Sequence, residues 1–432
     1  MAGPAIRVWN FAKVLSKHMN VILAVPNEPS LPDMEFEIVR YSDDLSIVDL
    51  ASRADVLLLG GVTFTNFKSL KKINKYLILD LYDPFNLAAL EEYKDKPMKG
   101  RIEFNTYLTG CLNDEIYHGD FFICASERQR DYWLGMLSAL GRINPVTYST
   151  DATLRKMIDV VPFGLPESKP VHEKNVLKGV VTGIEKNDFV ILWGGGIYNW
   201  FDTISLVNAM KIVSETRKDI KLFFMGVKHP DPMVKELNLV NETVRLAKSL
   251  DVYENNVFFN FGWVKYDDRQ NYLMESDVGI VTHPVHIESR FSFRTRALDC
   301  IWAGLPMIST EGDYFSELIN EKKLGLTVKE KDPEDIAKAI LRLAQDKEYY
   351  DLCVSNLNRI ANDYTWDKVC APILEYCMDP SKSSKKHDEE NNIENGNNSS
   401  QAKSIVKKFF SHLEKSGPKK TFKYVKNYLS KK

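Results

Sequence analysis

The hydrophobic and polar positions along the chain fall into two alternating rhythms. Short, almost wholly apolar runs end in turn chemistry: "NVILAVP" (20–26), "ADVLLLGG" (54–61), "KYLILDLYDP" (75–84) and "DFFICAS" (120–126). A second series follows: "DFVILWGGG" (188–196), "IKLFFMG" (220–226), "NVFFNFGWV" (256–264), "DVGIVTHP" (277–284) and "LPMIST" (305–310). Such runs suit strands covered on both faces of a parallel sheet, where crossover helices join neighbouring strands. Amphipathic segments such as "TISLVNAMKIVSETRK" (203–218) and "PMVKELNLVNETVRLAKSL" (232–250) supply those helices. The pattern predicts an α/β chain of two doubly wound, Rossmann-like domains. The first spans 1–168, with an irregular stretch at 142–160 ahead of "IDVVPFG" (158–164). The polar stretch 167–187 reads as the linker. The second domain, 169–378, ends in the helix "TWDKVCAPILEYC" (365–377). A doubly wound domain should open on a strand, but the first element is the amphipathic helix "MAGPAIRVWNFAKVLSK" (1–17). The first strand of that domain is therefore expected to be missing, through a late start or a sheet one strand short.

The pattern changes after residue 378. Residues 379–402 are polar and almost free of apolar side chains, which predicts a disordered linker. From Lys403 to Lys432 ten lysines stand against one glutamate, interleaved with Ile405, Phe409, Phe410, Leu413, Phe422 and Leu429. This suits a basic amphipathic element that docks on an anionic membrane surface or a partner. The bland alternative is a helix packed on the body or frayed in solvent.

Composition narrows the function class. The 432 residues carry a net charge of −2, which gives no support to a nucleic-acid partner. The six cysteines are scattered without a CxxC pair, which argues against a structural zinc and a disulfide scaffold. The N-terminus lacks the apolar core of a signal peptide, and no run approaches a membrane span. The expected location is cytoplasmic, with peripheral contact at the inner face of the membrane through 403–432.

Three stretches carry candidate chemistry. In "LWGGGIYNWFDT" (192–203) glycines follow a strand and precede a helix, so Gly195 and Gly196 can bring backbone amides up to an anion. A tight turn alone explains them equally well. Gly3, ahead of the first helix, is a second glycine that can face a phosphate. The third stretch is "HIESRFSFRTRALDCIWAGLP" (286–306). Ser292 reads as the N-cap of a helix running to about Ala303, with Gly304 as its terminator. Arg294 and Arg296 then fall in the first turn, where the helix dipole disfavours cations, so an external anion is expected. Asp299, one turn on, can accept two hydrogen bonds from a vicinal diol such as a ribose; the alternative is a surface pair with Arg296.

These residues carry a resemblance. The segment 277–310 resembles the donor-site segment of glycosyltransferase family 4, of the GT-B fold, in which two glutamates with seven residues between them precede Ala-Met-Ala-x-Gly-x-Pro. Asp299 matches the second acid by its distance to Gly304 and Pro306. Glu288 resembles the first acid but lies three residues too far upstream. "VVPFGLPE" (160–167) is similar to the family's domain junction, "GDYFSELINEKKLGLTVKEKDPEDIAKAI" to its Gly-Gly-x-x-Glu and Asp-Pro stretches, and "YTWDKVCAPILEYC" to its closing helix. "FGWV" (261–264) resembles the strand end that lines the base, which marks Trp263 and Val264.

The resemblance implies two domains facing a cleft and transfer of a sugar from a nucleotide-sugar donor to a glycan or lipid-linked acceptor. It also implies retention of anomeric configuration, no metal, and a place in surface polysaccharide or glycoconjugate synthesis. It marks Glu288 and Asp83 as catalytic, with Asp83 in "YDP" where the family has His-Asp; by position, Asp83 at a strand end and Arg7 on the first helix are candidates for the acceptor side. The chain departs from the family at "GGGIYNWFDT", which lacks the Arg and Lys that many members use on the diphosphate. Arg294 and Arg296 are expected to replace that pair. The rival readings are a non-catalytic GT-B relative that binds carbohydrate or a partner, and a GT-B epimerase or phosphorylase.

Overall fold

The computed structural model describes residues 3–29, 34–227, 238–262 and 264–382. The described residues up to Ser381 form one compact unit, whose separate sheets mark an N-terminal and a C-terminal lobe. Trp263, the linker from residue 383 onward and the basic tail 403–432 lie outside the described residues.

The described strands form three parallel sheets. In the N-terminal lobe β1 (Ile22–Val25) pairs with β2 (Glu37–Arg40). Strands β3 (Val56–Gly60), β4 (Tyr76–Asp80), β5 (Phe121–Cys124) and β6 (Ile158–Val160) form a second sheet in that order. No described strand joins β1 to β3. The helix Gly3–Leu15 instead spans both sheets: Ile6, Phe11, Val14 and Leu15 enter the main core, while Ala12 packs with Leu23 and Phe36 over the pair.

The C-terminal lobe holds β7 (Phe189–Trp193), β8 (Ile220–Phe224), β9 (Val257–Phe259), β10 (Val278–Val281), β11 (Met307–Thr310) and β12 (Gly325–Val328). Their spatial order is β12-β11-β10-β7-β8-β9, the doubly wound order in which strand succession reverses between β7 and β10. A crevice opens outside the carboxyl ends of the strands at such a reversal, so Gly194–Gly196 and Thr282–His283 border it. All four residues of β10 are buried, as expected of a strand covered on both faces. The helix Thr295–Ala303 lies so close to β10 that a Cβ on Gly279 would stand 2.3 Å from the Cys300 sulfur. Only glycine permits that approach, and it brings Arg296 and Asp299 to the crevice.

Several elements differ from expectation. Strands β2, β6 and β12 were not anticipated: each is short, and β2 carries Glu37 and Arg40 at its ends. The stretch expected to be irregular contains a helix, Pro145–Thr150, because the Asn144 side chain accepts from the amides of Val146 and Thr147. The helix read over 232–250 is described only as Asn238–Ser249. Ser292 does not cap a helix start. His286 caps a short helix, Ile287–Phe291, Ser292 ends it, and Arg294 precedes the next one.

The closing helix assigned to the second domain packs on the first lobe. Trp366 meets Phe11 and Phe163 edge-on or tilted, at centroid distances of 5.9 and 4.9 Å, and Tyr376 stacks on Phe121 at 4.8 Å. The linker is fastened by Glu275. Its carboxylate accepts the amides of Val176, Leu177 and Lys178 at 2.7–2.9 Å and meets His172 at 2.7 Å.

Candidate functional site

The crevice of the C-terminal lobe is assembled from the end of β7 and the start of the helix Thr295–Ala303. After the buried Trp193 the chain turns sharply: Gly195 has φ +125, and a Cβ there would stand 3.2 Å from the Arg296 Nε. A side chain at 195 is excluded both by backbone conformation and by the guanidinium it would meet. Arg296 lies under this turn. Its Nη2 donates to the Gly196 carbonyl, and its guanidinium covers the rings of Trp193 and Phe201 at 5.1 and 4.3 Å. Its Nη1 is buried and has no partner. No carboxylate pairs with it among the described residues. Burial, with a smaller contribution from the Arg294 charge, pulls its pKa down to about 9. A half-buried guanidinium with one wholly buried, unpaired nitrogen and no carboxylate in direct contact is costly, and an anion seated on the turn removes that cost.

Arg294 has a different environment. Its Nη2 donates to Glu288 at 3.1 Å, and its Nε stands 3.9 Å from Asp313. Asp313 is itself buried, caps the helix Tyr314–Lys322 by accepting the Ser316 amide at 2.7 Å, and faces His283 at 3.3 Å. Burial alone would raise the Asp313 pKa. The His283 contact, the charges of His283 and Arg294, and the Ser316 amide outweigh it, and the pKa falls. Two carboxylates of its own lobe therefore already counter Arg294. Of the two arginines expected to clamp a diphosphate, only Arg296 presents an uncompensated charge.

Asp299 does not pair with Arg296. Its Oδ1 accepts from the Arg269 Nε at 3.0 Å, while the Arg269 guanidinium lies 3.6 Å over Tyr266 and 4.6 Å over Trp302. Burial raises the Asp299 pKa, against the opposing charges of Arg269 and Arg296. One carboxylate oxygen remains for an outside donor. Leu192, Gly194, Met225, Arg269, Arg296 and Asp299 line one pocket, so the glycine turn, the arginine and the acid converge. Val264 is half-buried beyond the end of β9.

Across the cleft stands the carboxyl end of β4. Tyr82 donates from its hydroxyl to the Phe293 carbonyl at 3.4 Å. Asp83 has a solvent-accessible surface, yet protein mass surrounds it. That surrounding protein raises its pKa to about 6, with Glu288 and Glu92 adding smaller repulsions. Asp83 thus feels the charge of Glu288, which Arg294 holds on the other lobe. The two expected catalytic acids are brought to facing sides of one cleft.

Arg7 and Gly3 turn out otherwise. Arg7 is buried. It donates to both Asp80 oxygens at 2.7 and 3.1 Å and to the carbonyls of Pro162 and Val161 at 2.8 Å, with its guanidinium over Phe11 and Tyr82. These contacts point inward, so the expected acceptor-side role gives way to that of a tie between the first helix and the strand ends. Gly3 is exposed, with nothing within 4 Å of a Cβ placed there. Among the described residues no contact links it to the glycine turn of the other lobe. The sequence reading missed Arg269, His283 and Asp313. Only Asp313 had a local signal, the Asp-x-x-Ser spacing of a helix start.

Two α/β lobes with parallel sheets, the C-terminal one doubly wound, joined by a linker and a crossing C-terminal helix, with a cleft at the strand ends, match the GT-B fold. Solved structures share it over most of this chain. Sucrose-phosphate synthase from Thermosynechococcus elongatus is 12% identical, with 87% of this chain and 93% of that one covered at a TM-score of 0.63. HepE from Anabaena, solved with UDP-glucose, is 14% identical, with 88% and 96% covered at 0.60. The trehalose-6-phosphate synthase OtsA is 12% identical, with 88% and 96% covered at 0.65. No curated protein matches the sequence. Residues 188–346 match the family model "Glycosyl transferases group 1". The family likeness is shown for that segment, and the solved structures add the fold of the two lobes.

Proposed function

We propose that the protein transfers a sugar from a nucleotide-sugar donor to a glycan or lipid-linked acceptor, in surface polysaccharide or glycoconjugate synthesis. The anomeric configuration is retained and no metal takes part. The observation that carries this reading is the partnerless, buried Nη1 of Arg296 beneath the glycine turn, beside the open oxygen of Asp299. A diphosphate supplies the missing counter-ion, and the adjoining ribose supplies the hydroxyls for Asp299. As the bond between the anomeric carbon and the diphosphate oxygen breaks, negative charge grows on the leaving group, and a preorganised guanidinium stabilises it. The acceptor oxygen bonds to the same carbon, and its proton passes to the departing phosphate. Asp83 accepts a hydrogen bond from the acceptor hydroxyl and orients it; Glu288 contacts the donor sugar.

HepE was solved with UDP-glucose, which makes UDP-sugars the first donors to test. The experiment is incubation of the full chain with UDP-, GDP-, dTDP- and ADP-sugars, with and without mixed glycan acceptors, with and without EDTA. Free nucleoside diphosphate is measured by mass spectrometry. Release from one donor class, insensitive to EDTA, is expected. Silence across the panel from folded protein returns the chain to the binding-protein reading. No described helix is long and apolar enough to cross a membrane. The cytoplasmic, peripheral placement at the inner face of the membrane rests on the ten lysines from 403 to 432. Deleting 379–432 should abolish flotation with anionic vesicles, and unaltered flotation would refute that docking.

A further inference from the structure

The two lobes meet in two ways. On one side the chain itself joins them: Leu165 donates to the Tyr364 carbonyl at 2.7 Å, and Trp366 donates to the Leu165 carbonyl at 3.0 Å. Across the cleft the meeting is non-covalent and centres on the start of the helix Glu127–Ala139. Gln129 is completely buried there. Its Oε1 accepts the Ala125 amide at 2.8 Å. Its Nε2 donates to the Tyr82 carbonyl at 2.8 Å and to the Phe291 carbonyl at 2.7 Å. Tyr82 immediately precedes Asp83; Phe291 lies in the segment that carries Glu288 and Arg294. The two amide hydrogens of one side chain are thus divided between the two lobes. Beside it Arg128 donates to the carbonyls of Arg290 at 3.1 Å and Gly312 at 2.7 Å, and pairs with Glu317.

We propose that Gln129 is a positioning residue for sugar transfer: its amide sets the Asp83 strand end against the Glu288–Arg294 segment when the lobes are closed, with Arg128 as the outer half of the same latch. The inference rests on the reading that Asp83 serves the acceptor and Glu288 the donor sugar. The residue type follows from the geometry. A buried side chain must offer two N–H groups to two converging carbonyl oxygens and one acceptor to the Ala125 amide. Glutamate keeps the acceptor but turns a charge toward both carbonyls. Methionine keeps the volume and donates nothing. The contacts to Phe291, Arg290, Gly312 and Glu317 are also the ones that must break if the lobes part about the linker, and water can then satisfy each group. The latch therefore shifts a population between open and closed forms and does not lock it.

The test compares the wild-type full chain with Q129M, Q129E and R128A. Hydrogen exchange over 288–293 and small-angle scattering are recorded without ligand, and steady-state kinetics with UDP-glucose as the probe donor. Q129M is expected to exchange about tenfold faster at 288–293, the change that losing one buried hydrogen bond produces, and to scatter as a more extended particle. Its kcat should fall about tenfold or more through misplacement of the reacting groups. Its donor KM should hold within about threefold, because Arg296 and Asp299 lie wholly on the other lobe. A folded Q129M with wild-type exchange, or with faster exchange and unchanged kcat, overturns the proposal. If Q129M and Q129E fail to fold, R128A carries the same expectations, since its side chain is 18% exposed and lies outside the core. Wild-type protein without turnover on any sugar nucleotide removes the transfer reading, and the positioning role with it. The exchange and scattering data then still decide whether the latch exists.

Discussion

Arg296 and Arg294 are two residues apart and should respond oppositely to removal. Arg296 has no carboxylate in direct contact and one wholly buried, unpaired nitrogen, so R296M should leave the ligand-free protein as stable or more stable, because a poorly solvated charge disappears. The same change should weaken UDP binding by about 2 kcal/mol, the size of a charge-assisted hydrogen bond. Arg294 sits between Glu288 and Asp313, with 6% of its side chain exposed. R294M strands two carboxylates and should cost about 3 kcal/mol of folding stability. Calorimetric titration and urea unfolding read the pair, and equal effects from both variants would contradict the assignment. Asp83 offers a second residue-level test. Its folded pKa, about 6, lies above the 3.8 of the free side chain, so the folded state holds the proton more tightly. That contribution to stability is present at low pH and is lost as pH rises from about 4 through about 6. Activity that needs the ionised carboxylate should rise over the upper part of that window. D83N should remove this limb of the pH–rate profile; an unchanged limb assigns it to another group.

At the scale of elements, most strands were legible because a strand buried on both faces must be apolar throughout. Helix boundaries near the site were not. Ser292 has the residue type of a cap, but its hydroxyl only reaches the Ser289 carbonyl at 3.3 Å, and the following helix starts at Thr295 without a side-chain cap. S292A should therefore change stability by less than about 0.5 kcal/mol. D313A removes a true cap and a charge partner and should cost about 2 kcal/mol or more. A loss from S292A equal to that from D313A, measured by thermal unfolding, would restore the cap reading. The physical reason is the break between the two helices at 292–294. Phe293 is buried there against Tyr314 and Phe315, at centroid distances of 5.4 and 4.8 Å, a tertiary contact with no trace in local periodicity.

For the molecule as a whole, the linker is held by one buried acid. The Glu275 pKa is lowered: burial opposes the shift, but His172 and the amides of Leu177, Lys178 and Val176 outweigh it. A depressed carboxylate contributes stability above its unfolded pKa of 4.5 and loses it as pH falls below that value. E275Q should cost about 2 kcal/mol at pH 7, with the deficit shrinking as the wild type is titrated below about pH 4.5. A deficit independent of pH would mean that the amide-accepting geometry, and not the charge, matters. The sequence alone determined the α/β class, the parallel sheets of two lobes and the 286–306 segment as a stretch bordering the crevice, because these follow from local hydrophobic period, glycine placement and residue spacing. It could not decide which arginine is free, that Asp299 answers to Arg269, that Arg7 is an internal tie, or that Gln129 reaches both lobes. Those outcomes depend on which charges and carbonyls from distant parts of the chain share a low-dielectric volume. Tertiary packing sets that, within each lobe for the first three and between the lobes for Gln129.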